Sequence, residues 1–232
     1  SLVGSEMCIR DSLYGVNKLT DLKADLGVMN AGGVREDLAS GDVTFAEAFK
    51  VQPFGNSLGV VEITGEQLKQ ALEQQWKPGQ DRPMLALGLS ENVQYAYDPD
   101  AEHGKHITYV SVNGEPLDPN KKYRVAGSSF LLTGGDSFDA FAEGEFQDAG
   151  QMDIDVFNRY LKDKSDISIR PNQTSVGVQL SGAGVDEAQV TDEALRGTVL
   201  APNKDVTVKL SSLSYTGPEA KPKTCLLYTS DA

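Results

Sequence analysis

The sequence predicts a mixed α/β domain that is followed by a truncated all-β module. Short apolar segments alternate with amphipathic helices over residues 13–171, as in domains that combine a mixed sheet with helices. After about Pro171 the aromatic residues nearly vanish, and Val, Thr, Ser and Gly alternate between Gly and Pro turns. This change in composition predicts a β-sandwich-like module over residues 172–224, a stretch that is too short to complete one.

The first elements of the α/β domain follow in order along the chain. Residues 13–19 are interpreted as the remnant of a helix. The apolar run at 25–29 ends at Asn-Ala-Gly-Gly, which predicts a buried strand that leads into a loop. A short helix is predicted over residues 43–50, and a strand over the β-rich segment SLGVVEI at 57–63.

The helix predicted over residues 64–76 has the clearest sequence pattern. Thr64 can cap its first turn, and Gln67 lies where a capping box requires Glu or Gln. Its apolar face is predicted to belong to the core and consists of Leu68, Leu72 and Trp76. The Pro-Gly pair that follows ends the helix.

The second half of the α/β domain begins with β-segments. Strands are predicted over 93–98, 106–112 and 123–128, and an Asn-Gly turn signal follows the second of them. An amphipathic helix is predicted over residues 153–162. Asp153 and Asp155 at its start are expected to be solvated, where they are favourable to the helix dipole.

Both ends of the chain lack the periodicity and capping signals of the interior. Residues 1–12 and 225–232 resemble translated sequencing-adapter read-through, so they are predicted to be non-native tails. Cys8 and Cys225 lie in these tails and give little evidence for a redox compartment. The natural protein is then expected to continue beyond both ends, so the absence of a signal peptide carries no information.

Composition excludes two classes of partner. The formal net charge of −13 argues against nucleic acid, which requires clustered Lys and Arg. No apolar run is long enough for a membrane-spanning helix. A local arginine could still hold one small anionic ligand.

Three loops combine glycine with side chains that suit a nucleoside monophosphate. They are NAGGVR at 30–35, VQPFGN at 51–56 and SSFLLTGGDSF at 128–138. Aromatic rings can stack on a base, a carboxylate can accept hydrogen bonds from ribose hydroxyls, and an arginine can bind phosphate. From residue type alone, the phenylalanines are more often core residues, the aspartate is more often a turn residue, and a solvated charge is the default for the arginine.

NAGGVR, QPFGN, the TGEQL helix start and YRVAGSSFLLTGGDSF occur in an order that resembles the C-terminal substrate-binding domain of the 5′-nucleotidase and UDP-sugar hydrolase family. The resemblance covers roughly residues 13–171. It implies that Phe54 and Phe130 sandwich the base and that Asp136 holds the ribose hydroxyls. It also implies nucleoside contacts from Asn30 and Asn56, a phosphate contact from Arg35, and close backbone approach at Gly32, Gly33, Gly134 and Gly135. Phe138 is expected to pack beneath the loop.

The resemblance further implies a metallophosphatase domain with two divalent metal ions, N-terminal to this one. The histidines here, His103 and His106, lie in the polar segment EHGKHI and are interpreted as surface residues, not metal ligands. No catalytic residue and no metal ligand is therefore assigned to this chain, which is expected to be inactive alone. The whole protein would be a secreted, periplasmic or cell-surface bacterial enzyme that hydrolyses nucleoside 5′-phosphates to nucleoside and phosphate.

Two alternatives stay open at the level of the sequence. The chain could be a non-catalytic nucleoside- or sugar-binding module of a cell-surface protein, or its β-rich tail could make it an adhesive wall protein. The native sequence upstream of Leu13 would discriminate, because the enzyme requires metallophosphatase motifs there. Base preference is not predicted, since stacking tolerates every base.

Overall fold

The computed structural model describes residues 2–36, 38, 41–164, 175–183, 189–190, 198–199 and 204–211. Its helices are α1 (Leu2–Leu19), α2 (Phe45–Val51), α3 (Gly65–Glu73), α4 (Ser129–Leu132) and α5 (Asp153–Asp163). The first eight strands are β1 (Leu26–Asn30), β2 (Ser57–Thr64), β3 (Leu87–Leu89), β4 (Val93–Tyr97), β5 (Ile107–Val112), β6 (Glu115–Pro116), β7 (Lys122–Ser128) and β8 (Gln147–Met152). Four more are β9 (Ser175–Ser181), β10 (Gln189–Val190), β11 (Thr198–Val199) and β12 (Thr207–Ser211).

The first sheet is mixed and has the strand order β3-β1-β7-β2-β8. Strands β1 and β7 are parallel, and the other neighbours are antiparallel. Alternate residues of β2 face different cores: Leu58 and Val60 pack with Val16 of α1, whereas Val61 and Ile63 join the largest core cluster. The sheet is therefore covered on both faces, which explains why SLGVVEI is apolar almost throughout.

The second sheet has the order β12-β9-β4-β5-β6 and shares the largest core cluster with α3. Strand β9 pairs with β4 in parallel, and β12 pairs with β9. These two strands come from the stretch predicted to start a separate all-β module, and they instead extend a sheet of the α/β domain. The separate module over 172–224 is not confirmed, and much of it lies outside the described residues, as does the predicted tail at 225–232.

Most elements lie close to their predicted positions. The capping box of α3 is present: the backbone N–H of Gln67 donates to the Thr64 hydroxyl, and the Thr64 N–H donates to the Gln67 side chain. The helix ends at Glu73, three residues earlier than predicted, because Trp76 forms a β-bridge with Met84. Strands β3 and β8 were not predicted, since one has three residues and the other has a mostly polar sequence.

Helix α1 begins at Leu2, well before the predicted remnant at 13–19. Ile9 is buried against the neighbouring sheet and α2, so part of the predicted non-native tail packs on the domain. Asp11 is also buried, and its Oδ2 atom has no hydrogen-bond partner. Burial raises the pKa of Asp11 well above its ordinary value, an unfavourable environment that is unusual for a native carboxylate. The non-native origin of the tail stays a prediction.

The interpretation of His106 as a surface residue is wrong. Its ring is buried and stacks on the indole of Trp76, with centroids 4.2 Å apart and planes 4° from parallel. The buried Glu73 carboxylate accepts hydrogen bonds from the backbone N–H groups of His106 and Ile107, at 3.1 and 2.5 Å. Glu73, at the end of α3, thereby supplies the hydrogen-bond acceptor for the backbone N–H groups at the start of β5. Spacing alone could not reveal this, because the two segments are more than thirty residues apart.

Replacing Glu73 by alanine is expected to lower the free energy of unfolding by about 3 kcal/mol, because two buried backbone N–H groups lose their acceptor. Urea denaturation followed by circular dichroism measures this change. Gln70→Ala is the matched control, since Gln70 is an exposed residue of the same helix. Equal stability of the two variants would show that the Glu73 contacts contribute nothing.

Candidate functional site

The sheet topology brings the three predicted loops to one edge. Because β1 and β7 are parallel neighbours, the loops that follow them begin at the same edge of the sheet. Strand β2 is antiparallel to β7, and Leu58 pairs with Ser128, so the segment that precedes β2 also lies there. NAGGVR, QPFGN and SSFLLTGGDSF therefore meet, although they are distant in sequence.

Two further segments, which were not predicted from the sequence to belong to the site, reach the same edge of the sheet. The last residue of β8, Met152, pairs with Ser57 at the start of β2, which places the first turn of α5 beside QPFGN. Leu87 at the start of β3 pairs with Asn30 at the end of β1. The loop between α3 and β3 therefore arrives next to NAGGVR.

These segments enclose a cavity of about 740 Å³. This volume lies within the range of about 300–1,000 Å³ that is common for small-molecule sites. Eight of the ten predicted site residues line it, namely Asn30, Gly32, Gly33, Arg35, Phe54, Asn56, Phe130 and Asp136. The structure thus brings together the residues that were grouped from sequence, while their binding roles stay predictions.

The two phenylalanine rings lie on separate loops and are unusually accessible. The exposed fraction is 51% for Phe54 and 46% for Phe130, which is high for large apolar side chains. The guanidinium carbon of Arg35 lies 5.7 Å from the centroid of the Phe54 ring. Both phenylalanines differ from Phe138, which is fully buried beneath the loop as predicted. The core interpretation of Phe54 and Phe130 is therefore wrong.

The Asp136 carboxylate is fixed by an amide from a neighbouring strand. Buried Asn30 donates a hydrogen bond from Nδ2 to Asp136 Oδ2 at 2.7 Å. Asp136 itself has a left-handed backbone conformation, with φ of 55°. Asn30 thus braces the carboxylate, and its own contact with a ligand stays a prediction.

Gly134 and Gly135 are not among the residues that line the cavity. Gly134 has φ of 97° and turns the chain after α4. A Cβ atom on Gly135 would lie 2.4 Å from the Phe130 carbonyl oxygen and 2.7 Å from its ring. Gly135 therefore allows the loop to fold against Phe130, and Gly134 allows the turn after α4, so both shape the loop without lining the cavity.

Asn56 lies in the cavity with a partner that the sequence did not suggest. Its backbone N–H and Nδ2 both donate to Asp153 Oδ2, at 3.1 and 3.2 Å. Asp153 is buried and lines the cavity, so the expectation that it is solvated is wrong, whereas Asp155 is exposed. Burial raises the pKa of Asp153, and the hydrogen bonds from Asn56 and Ile154 oppose that shift.

The loop between α3 and β3 supplies further polar residues. Gly79, Gln80, Asp81 and Arg82 line the cavity, and Leu85 contributes apolar surface. The sequence showed only a helix stop at Pro78-Gly79. The place of this loop could not be predicted because strand β3 was not predicted. The pairing of β3 with β1 is what brings the loop next to the cavity.

The described ranges contain neither a cluster of metal-ligating side chains nor a membrane-spanning helix. No group of three or more His, Cys, Asp or Glu side chains there could hold a metal ion. The side chains of the described residues therefore do not fit a metal centre, and none is placed in this cavity. No helix among these ranges is long and apolar enough to cross a membrane.

Curated relatives of this chain include Cell wall protein Lmo0130 of Listeria monocytogenes and a 5′-nucleotidase of Vibrio cholerae. They are 35% and 31% identical to it over 158 and 150 residues. The alignments cover 65% and 63% of this chain but 20% and 26% of the relatives. The chain thus spans a fifth to a quarter of the length of these relatives.

Solved structures show the same fold. The 5′-nucleotidase precursor from Thermus thermophilus matches with a TM-score of 0.64 and 27% identity, over 74% of this chain and 34% of that one. NAD nucleotidase from Haemophilus influenzae matches with a TM-score of 0.62 and 24% identity, over 75% and 32%, a likeness of fold alone. A family model for the C-terminal domain of 5′-nucleotidases matches residues 6–143, more than half of the sequence. This chain therefore belongs to the 5′-nucleotidase C-terminal domain family.

Proposed function

We propose that this chain is the nucleotide-binding domain of a metal-dependent 5′-nucleotidase, and that the cavity holds a nucleoside 5′-phosphate. One observation carries the proposal: two half-exposed phenyl rings from separate loops line one cavity together with a carboxylate held by an amide. Both rings line the same cavity, and we propose that a flat base lies between them. Stacking on such rings contributes on the order of 1–3 kcal/mol per base.

The polar groups of the cavity complement the rest of a nucleotide. Asn30 already holds one oxygen of the Asp136 carboxylate, which leaves acceptor capacity for ribose hydroxyls. The amide nitrogen of Asn56 donates to Asp153, so its amide oxygen can accept a hydrogen bond from the nucleoside. Arg35 is exposed and can move from the Phe54 ring to a phosphate.

In this proposal the domain binds and orients the nucleotide, and hydrolysis belongs to a separate metallophosphatase domain with two divalent metal ions. The chain alone is then inactive. The name of the Listeria relative, a cell wall protein, supports an extracellular or cell-surface location for the whole protein. A secreted bacterial hydrolase of nucleoside 5′-phosphates accounts for these features together.

Isothermal titration of adenosine and AMP into the chain tests the binding assignment. We expect saturable binding of both with one ligand per chain, and no binding of free ribose or glucose, which lack the planar base. Binding of the sugars in preference to adenosine would favour a sugar-binding module instead. Failure of both adenosine and AMP to bind would contradict the assignment of the cavity.

A further inference from the structure

The loop that carries Asp136 has an unfavourable backbone conformation. Asp136 and the next residue, Ser137, both lie in the left-handed region, with φ of 55° and 57°. The only other described residue besides glycine with positive φ is Asn113, in an Asn-Gly turn. Consecutive left-handed residues persist where surrounding contacts hold them. The contacts that hold this loop therefore determine where the Asp136 carboxylate lies.

The Lys77 side chain contacts this loop at two points. Its Nζ donates a hydrogen bond to the Ser137 carbonyl oxygen at 2.9 Å and lies 4.2 Å from the centroid of the Phe138 ring. The residue is 5% exposed, an uncommon position for lysine. Burial lowers the pKa of Lys77, and the nearby charges of Asp136 and Asp139 oppose that shift.

The backbone of Lys77 is fixed as well. Its N–H donates to the Pro83 carbonyl oxygen at 2.8 Å, and its own carbonyl oxygen accepts from the Gln80 N–H at 3.3 Å. These bonds close the base of the loop whose residues 79–82 line the cavity. Gln74, just after α3, supports the segment that follows Asp136. Its side-chain oxygen Oε1 accepts a hydrogen bond from the Ala140 N–H at 3.1 Å.

We propose that Lys77 is a positioning residue, which holds the Ser137 carbonyl and the Phe138 ring so that Asp136 meets the ribose hydroxyls of a bound nucleoside. The inference rests on the proposed function for the role of Asp136. Asn30 fixes the carboxylate from one side and Lys77 fixes the backbone from the other. The contacts of Lys77 with the 79–82 loop are made by its backbone, so a side-chain substitution leaves their donor and acceptor in place.

The test compares Lys77→Met with Lys121→Met, using adenosine and 2′,3′-dideoxyadenosine as ligands. Lys121 is the matched control, because it also lies over an aromatic ring, that of Tyr123 at 5.2 Å, but is exposed and outside the cavity. We expect Lys77→Met to weaken adenosine binding by at least about fivefold and dideoxyadenosine binding by less than about twofold. Lys121→Met should change neither affinity.

A double variant separates positioning from general stability. In an Asp136→Asn background, Lys77→Met should weaken adenosine binding no further, because the group that it positions is already altered. An equal loss for both ligands would show a merely structural role for Lys77 and overturn the proposal. Unchanged adenosine affinity in folded Lys77→Met would overturn it as well.

Two measurements without ligand keep this inference separate from the proposed function. In folded Lys77→Met, the amides of Phe138 and Ala140 should exchange with deuterium at least about tenfold faster, and unchanged rates would overturn the proposal. In the parent chain, the ε-methylene protons of Lys77 should be shifted upfield by the Phe138 ring. Random-coil shifts would contradict the contact even if Lys77→Met does not fold. Failure of the parent to bind adenosine would instead count against the proposed function.

Discussion

Replacing either Phe54 or Phe130 by alanine is expected to weaken adenosine binding by roughly 5- to 150-fold, the equivalent of about 1–3 kcal/mol of lost base stacking. The rings are half-exposed, so truncation removes little buried core surface and the folded state should be retained. Isothermal titration at constant ionic strength measures both affinities. Circular dichroism melting shows whether each variant is folded.

The chain offers a matched control for these two variants. Phe49 has a similar exposed fraction, 44%, but lies on α2 and does not line the cavity. Phe49→Ala should therefore leave adenosine affinity unchanged. If Phe54→Ala and Phe130→Ala bind adenosine with the parent affinity, neither ring stacks on the base.

Asp136→Asn is expected to weaken adenosine binding by roughly 10- to 150-fold, because hydrogen bonds to a charged acceptor contribute about 1.5–3 kcal/mol. The substitution keeps the shape of the side chain and an oxygen that can accept from Asn30. 2′,3′-Dideoxyadenosine lacks both ribose hydroxyls, so its affinity should change by less than about twofold. Titration of both nucleosides into parent and variant gives this comparison.

Asp139→Asn is the control for the loss of charge, since Asp139 is an exposed residue of the same loop and is not part of the cavity lining. It should alter neither affinity. An Asp136→Asn variant that loses adenosine and dideoxyadenosine to the same extent would place the carboxylate away from the ribose.

Much of the cavity could be predicted because its residues sit in short motifs that carry their own chemistry. Phe54 directly precedes Gly55 and Asn56, and Phe130 follows two serines and comes four residues before Gly134. Their meeting in space follows from the antiparallel pairing of β2 and β7, which local sequence does not encode. The ordered set of motifs, and not any one of them, supported the grouping.

The parts that sequence could not show depend on long-range pairing. Asp153 resembled an ordinary acidic helix start until β8 placed it next to Asn56. The role of Lys77 could not be predicted for the same reason, because its partner Ser137 lies sixty residues further along the chain. His106 was wrongly predicted to be a surface residue. Its burial arises from contacts with Trp76 and Glu73, and the helix pattern does not show that these residues lie next to β5.

Intermolecular nuclear Overhauser effects show whether a base binds between Phe54 and Phe130. Adenosine is added to the chain, and contacts are recorded between the adenine H2 and H8 protons and assigned phenylalanine ring protons. The proposal predicts contacts to both Phe54 and Phe130, and none to Phe49. Contacts to only one of the two rings, or to neither, with adenosine bound, would contradict it.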